Sequence, residues 1–307
     1  MDTVVLVDGL RKVYGETVAV DRVSFEVKAG EIFGMVGPNG AGKTTTIECL
    51  EGLRKPDGGT IRVLGLDPQQ NGKELRLRAG MQLQQSNLPD RMRAWEALDL
   101  YASFYPKTLD WNELIRQLGL EEKRNASFAK LSGGQKQRLF IALALLPDPE
   151  LVFLDELTTG LDPQARHAIW DLVRNVQERG KTVLLSTHFM EEAERLCDRV
   201  AILDHGKIVA LDTPANLIRG LGAEERVVFT VDESLPAGFA GGFGEQVKVD
   251  VEGKQVIIHA RNDRQVPLVS EVVSLLTAQG IAFRDLRTEQ PNLEDVFLSL
   301  TGRQMRE

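Results

Sequence analysis

Cysteine is nearly absent from this sequence. Cys49 and Cys197 stand alone among 307 residues, in no paired or metal-type spacing. Their isolation excludes a disulfide scaffold and a thiolate metal site, and predicts two small core residues in a reducing compartment. Long apolar runs are also missing. The run LFIALALL at Leu139–Leu146 is far shorter than the roughly 18 residues of a membrane span. The opening MDTVVLVDGLRK has no basic start followed by an apolar stretch, which predicts no secretory leader and a cytoplasmic location. A basic surplus is lacking too: 37 Lys and Arg face 45 Asp and Glu, a net charge of −8. Phosphate-backbone binders carry the opposite balance, so no nucleic acid partner is expected.

What is present is the 42% hydrophobic, 27% charged mixture of an ordinary globular protein. EIFGMVG (Glu31–Gly37), LVFLDE (Leu151–Glu156) and TVLLSTH (Thr182–His188) are nearly continuous apolar runs with polar ends. Parallel strands buried on both faces read this way, with ligand groups at their carboxyl ends. VSFEV (Val23–Val27) and TIRVLG (Thr60–Gly65) alternate instead, predicting a half-buried antiparallel sheet. From Trp95 to Leu146 the apolar spacing is helical, which predicts a helical insert. Past Thr213–Arg219 come short strands (RVVFTV, QVKVDV, QVIIHA), a helix from about Gln265 to Ala278, a strand near IAFRDLR and a closing helix, NLEDVFLSL. These compose a compact α+β tail.

GPNGAGKTT, Gly37 to Thr45, fits G-x-x-x-x-G-K-[ST] between a buried strand and a helical stretch. Gly37, Gly40 and Gly42 let successive backbone N–H groups turn inward around phosphate oxygens, with Pro38, Asn39 and Ala41 completing the loop. The helix that starts there adds its positive dipole end. Lys43 reaches β- and γ-phosphates, and Thr44, followed by Thr45, offers a hard oxygen to Mg²⁺. LVFLDE carries Asp155 and Glu156 to the same sheet edge, one suited to Mg²⁺ and the other to accepting a proton from water. His188 ends the next buried run at that edge. The ligands expected are ATP and Mg²⁺.

These motifs, with LSGGQ at Leu131–Gln135 upstream of the Asp155–Glu156 strand, resemble the nucleotide-binding subunit of ABC transporters, in consistent order from about Val4 to Ile218. The resemblance implies an α/β fold: a P-loop NTPase (ABC ATPase) core with an antiparallel β subdomain and a helical insert, plus a small C-terminal α+β domain. Residues 1–220 would form the nucleotide-binding domain, its helical part at about 90–146, and 221–307 the accessory domain. It implies that Tyr14 stacks on adenine and that Gln84, or its neighbour Gln85, touches Mg²⁺ or the attacking water. It makes His188 a γ-phosphate contact, and Asp162 in GLD (Gly160–Asp162) part of a loop signalling between two sites. Leu157 departs from the pattern, since many members have proline after the catalytic glutamate. LEDVFLSLTGR (Leu293–Arg303) resembles the end of ATPase subunits of bacterial ABC-2-type exporters of the daunorubicin-resistance kind.

Ser132 and Gln135 also form the S-x-x-Q pattern of a capping box. Gly133 and Gly134 after such a cap each cost about 1 kcal/mol relative to alanine in a helix, so something must approach the backbone closely there. In the family, two subunits pack head to tail and each signature closes over the other's ATP. The partners expected are thus a second copy or a similar ATPase subunit, and a separate transmembrane permease holding the chain at the inner membrane face. The function expected is ATP-driven export of a drug, lipid or other small molecule. The alternatives are a soluble non-transport ABC ATPase and a nucleotide-gated regulatory protein; one cassette, no long heptads and intact Glu156 and His188 stand against them.

Overall fold

In the computed structural model, residues 2–82, 87–221, 224–232, 247–261, 266–289 and 291–302 are described, with Leu235, Pro236, Phe239 and Phe243. They divide into two units, the first running through Pro214 and the second starting at Ala215.

In the first unit, apolar residues on alternate positions build an antiparallel sheet. Strands β1 (Thr3–Tyr14), β2 (Thr17–Lys28) and β4 (Gly58–Val63) pair in the order β2-β1-β4. Val5 sits opposite Val27 and Val7 opposite Phe25, all buried. The inward-facing Leu10 lies three residues after Val7 because the register slips between them, where Gly9 takes φ 62°.

The continuous apolar runs form the second sheet. Strands β3 (Ile32–Val36), β5 (Ala79–Gln82), β6 (Leu151–Asp155), β7 (Thr182–Thr187) and β8 (Arg199–Asp204) are parallel, and β9 (Lys207–Asp212) returns antiparallel, in the order β5-β6-β7-β3-β8-β9. Every residue of β3, β6 and β7 is buried. Helices α1 (Lys43–Leu50), α2 (Gly72–Arg78), α6 (Pro163–Glu178) and α7 (Met190–Leu196) intervene between these strands. Helix α6 buries Ile169, Trp170, Val173 and Val176, one stripe of an otherwise polar helix. The helical insert is α3 (Ala94–Ala102), α4 (Trp111–Gln117) and α5 (Gly133–Leu145) with two short 3₁₀ turns. Among the described residues no helix is long and apolar enough to cross a membrane. Cys49 and Cys197 are both buried and unpaired.

Helix α8 (Pro214–Gly220) begins at the division between the two units. Proline suits the first turn of a helix. Strands β10 (Glu224–Val231), β11 (Val247–Glu252), β12 (Gln255–Arg261) and β13 (Phe283–Glu289) form one antiparallel sheet, β11-β12-β10-β13. Helix α9 (Leu268–Ala278) lays Leu268, Val272 and Leu276 into a core with Val227, Phe229 and Ile258. It starts after Pro267 rather than near Gln265, which lies outside the described residues. Helix α10 (Leu293–Thr301) is capped by Asn292, whose side chain accepts from the N–H of Glu294 and Asp295. Arg226 on β10 pairs with Asp295 at 2.5 Å.

Candidate functional site

The loop between β3 and α1 wraps a cleft of about 550 Å³ lined by Asn39, Gly40, Gly42, Lys43, Thr44 and Thr45, with Tyr14 and Glu156. Two glycines here have steric reasons. A Cβ on Gly42, at φ 100°, would meet the Ala19 carbonyl at 2.4 Å, and one on Gly37 would meet the Leu203 carbonyl at 2.2 Å. Ala41 is buried, and its N–H donates to the Pro38 carbonyl at 3.1 Å. Lys43 is buried, and its ammonium donates to the carbonyls of Gly37 (2.7 Å) and Pro38 (3.1 Å). Burial pushes its pKa below the ordinary lysine value, and the carboxylates of Glu156 and Asp155 offset part of that. A desolvated ammonium at a helix N-terminus, beside a cradle that side chains would fill, fits an anionic phosphate chain.

Strand β6 ends in Asp155 beside Thr44, with Glu156 the next residue on the cleft lining. Thr44 Oγ1 donates to Asp155 Oδ1 at 3.5 Å, and the Ser186 hydroxyl on β7 donates to the same oxygen. Burial pushes the Asp155 carboxyl above the usual range, the bonds from Ser186 and Thr44 pull it back, and the neighbouring Glu156 adds to the rise. Two hard oxygen groups so placed fit a divalent cation. Among the described residues no group of three or more His, Cys, Asp or Glu could hold a metal alone. A cation here would therefore share its remaining ligands with phosphate and water.

Glu156 follows at φ 48°, in the left-handed region, with its backbone N–H bonded to the Ser186 carbonyl at 3.1 Å. Its Oε1 lies 3.7 Å from His188 Nδ1. Tyr14 ends β1 with 40% of its surface exposed, its ring flanked by the Lys12 and Arg54 cations at 5.4 Å each. Leu157 is buried.

The signature residues and Asp162 do not line this cleft. Ser132 caps α5 in a reciprocal box: the Gln135 N–H donates to Ser132 Oγ at 3.3 Å, and the Ser132 N–H to Gln135 Oε1 at 3.0 Å. Within the chain, both glycines have neighbours near α6. A Cβ on Gly133 would lie 3.4 Å from Leu161 Cδ2, and one on Gly134 3.2 Å from Ala165 Cβ. Asp162 caps α6, accepting from the Ala165 N–H at 2.9 Å. Gln84 and Gln85 lie outside the described residues.

Two contributors escape a reading of the sequence. Ser186 bonds Asp155 across the β6–β7 pair, and only its polarity inside a buried run hints at this. His205, at φ 45° in the β8–β9 turn, also lines the cleft, from a dipeptide (His-Gly) that reads as an ordinary hairpin turn.

Comparison with known proteins places this geometry. The model of the ABC transporter family matches residues 20–159. The Nod factor export ATP-binding protein I of Ralstonia nicotianae is 40% identical over 307 residues, covering 98% of this chain and 94% of that protein. The counterpart from Rhizobium etli is 39% identical, with 96% and 92% covered. Among solved structures, an ATP-binding subunit of an ABC transporter superposes with a TM-score of 0.65 at 32% identity, over 71% of this chain and 93% of that one. The ATP-binding cassette MJ0796, solved as a dimer in a post-hydrolysis state bound to ADP and Pi, gives a TM-score of 0.61 at 29% identity, over 68% and 98%.

Proposed function

This chain belongs to the ABC transporter family as an ATP-binding, ATP-hydrolysing subunit, and on that premise we propose that two copies close over two ATP molecules to drive export through a separate membrane permease. The observation that carries the site assignment is the meeting of β3–α1, β6 and β7 at one edge, where Thr44 reaches Asp155 and Glu156 reaches toward His188.

The backbone of Gly37–Thr45 and the Lys43 ammonium hold the β- and γ-phosphates, and Tyr14 stacks on the adenine. Thr44 and Asp155, with Gln84 or Gln85, would hold Mg²⁺, which would neutralise phosphate charge and polarise the γ-phosphate. Glu156 accepts a proton from the attacking water, and His188 holds the γ-phosphate in line. Ser132, Gly133, Gly134 and Gln135 of one copy complete the site of the other, with charge-assisted bonds of about 1.5–3 kcal/mol each. Ser132 and Gly133 are exposed and Gly134 and Gln135 half-buried, and with the 13-residue α5 behind them they suit this role. Asp162, at the start of α6, links the two sites. Closure excludes water; hydrolysis then lets the pair reopen.

The export direction rests on the 40% identity to Nod factor export proteins over nearly the whole chain. The cargo is a small molecule or lipid recognised by the permease. This chain, produced with its permease, should cofractionate with membranes and transport only while ATP is hydrolysed. A chain that never associates with a permease would count against the reading.

A further inference from the structure

Helix α6 grips the loop carrying His188 at two points one turn apart. Arg166 and Trp170 are four residues apart on one face of α6. The Arg166 guanidinium lies 4.2 Å from the centroid of Phe189, whose ring is 4.1 Å from that of His188. One turn on, the Trp170 indole N–H donates to Glu192 Oε1 at 2.8 Å, and Glu192 is buried on α7. Among the described residues Arg166 Nε is buried without a hydrogen-bond partner. The guanidinium is held by its stacking on Phe189, an interaction that strengthens out of water, and by the charge of the buried Glu192 carboxylate.

The start of α6 and the residues just before it are also neighbours of the signature. A Cβ on Gly134 would come to 3.2 Å from the Ala165 Cβ, a tight approach, and one on Gly133 would make ordinary contact with Leu161 at 3.4 Å. The start of α5 and the turn that bears Arg166 are thus packed as direct neighbours.

We propose that Arg166 is a positioning residue for His188, transmitting the placement of the signature and α6 to the histidine through the face of Phe189. Signature engagement by one copy then sets the γ-phosphate contact in that copy's own site. The inference rests on the reading of His188 as a γ-phosphate contact.

The test uses the full chain, with ATP turnover measured against ATP concentration and a thermal melt for each variant. Arg166→Met should lower kcat about tenfold while KM stays within about twofold, and Arg166→Lys should recover part of the loss because an ammonium still faces the ring. Phe189→Leu should match Arg166→Met, and the double variant should lose no more than either alone. A loss confined to KM, an unchanged kcat, or losses that multiply in the double variant would overturn the proposal. His188→Ala separates the two readings. If it leaves kcat intact, the γ-phosphate role of His188 fails and the clasp with it. If it lowers kcat while Arg166→Met and Phe189→Leu do not, the clasp alone fails.

Discussion

Glu156 is placed by its backbone. The left-handed φ of 48° and the bond from its N–H to the Ser186 carbonyl fix the turn, and its Oε1 lies 3.7 Å from His188 Nδ1. Glu156→Gln keeps shape and backbone while removing the proton acceptor. ATP binding should persist and turnover fall by roughly 10²–10⁴-fold, the usual worth of a general base; near-normal hydrolysis would take Glu156 out of that role. A different carboxyl deserves a stability experiment. Glu51, at the end of α1, is fully buried, and both its oxygens lack hydrogen-bond partners among the described residues. Burial, then the charges of Asp155 and Glu48, push its pKa from 4.5 to about 8. Between those values the unfolded chain has released a proton that the folded chain retains. The stability this group contributes is thus complete below 4.5 and is lost as pH rises to 8. Glu51→Met removes that dependence, so its melting advantage over the parent should widen from pH 5 to pH 8, by a few kcal/mol at most. A constant difference across that range would show that Glu51 does not titrate this way. The sequence does not announce this residue, because a glutamate before Gly52 at a helix end reads as solvated.

The elements that carry the site were the most legible, for physical reasons. Strands β3, β6 and β7 are buried on both faces, so their sequences are unbroken apolar runs, and their polar ends mark the cleft. Strand β1 was hidden because the slip at Gly9 breaks its alternation, and β8–β9 because a hairpin carries no motif. Hydrogen bonds across strands, such as Ser186 to Asp155, depend on register and cannot be read from one segment. The glycines of α5 show a different limit. Their spacing demanded a close neighbour, and the neighbours in the structure, Leu161 and Ala165, lie about thirty residues on in the same chain. At this scale the prediction concerns Ser132. Ser132→Arg removes the cap of α5, worth about 1 kcal/mol, and sets a cation at the positive end of the helix. The variant should bind ATP as well as the parent, because residue 132 lies outside the Gly37–Thr45 cleft, yet fail to hydrolyse it. Full hydrolysis by Ser132→Arg would remove the signature from the active site.

Across the whole molecule, each unit has its own apolar core, one gathered around Phe33, Phe153 and Leu203 and the other around Phe229, Ile258 and Val272. The residues expected to hold ATP all belong to the first unit. A ligand stabilises only the cooperative unit whose native state it binds, by about 2.7 kcal/mol at a hundredfold excess over Kd. For a unit of some two hundred residues this corresponds to a shift of roughly 5–10 °C. Calorimetry of the full chain should therefore resolve two transitions, and ATP with Mg²⁺ in the non-hydrolysing Glu156→Gln variant should raise the larger one alone. The smaller transition, carried by β10–β13 with α9 and α10, should stay in place. If both moved together, the two cores would unfold as one cooperative block, and the C-terminal unit would share in the stabilisation that nucleotide confers on the cassette.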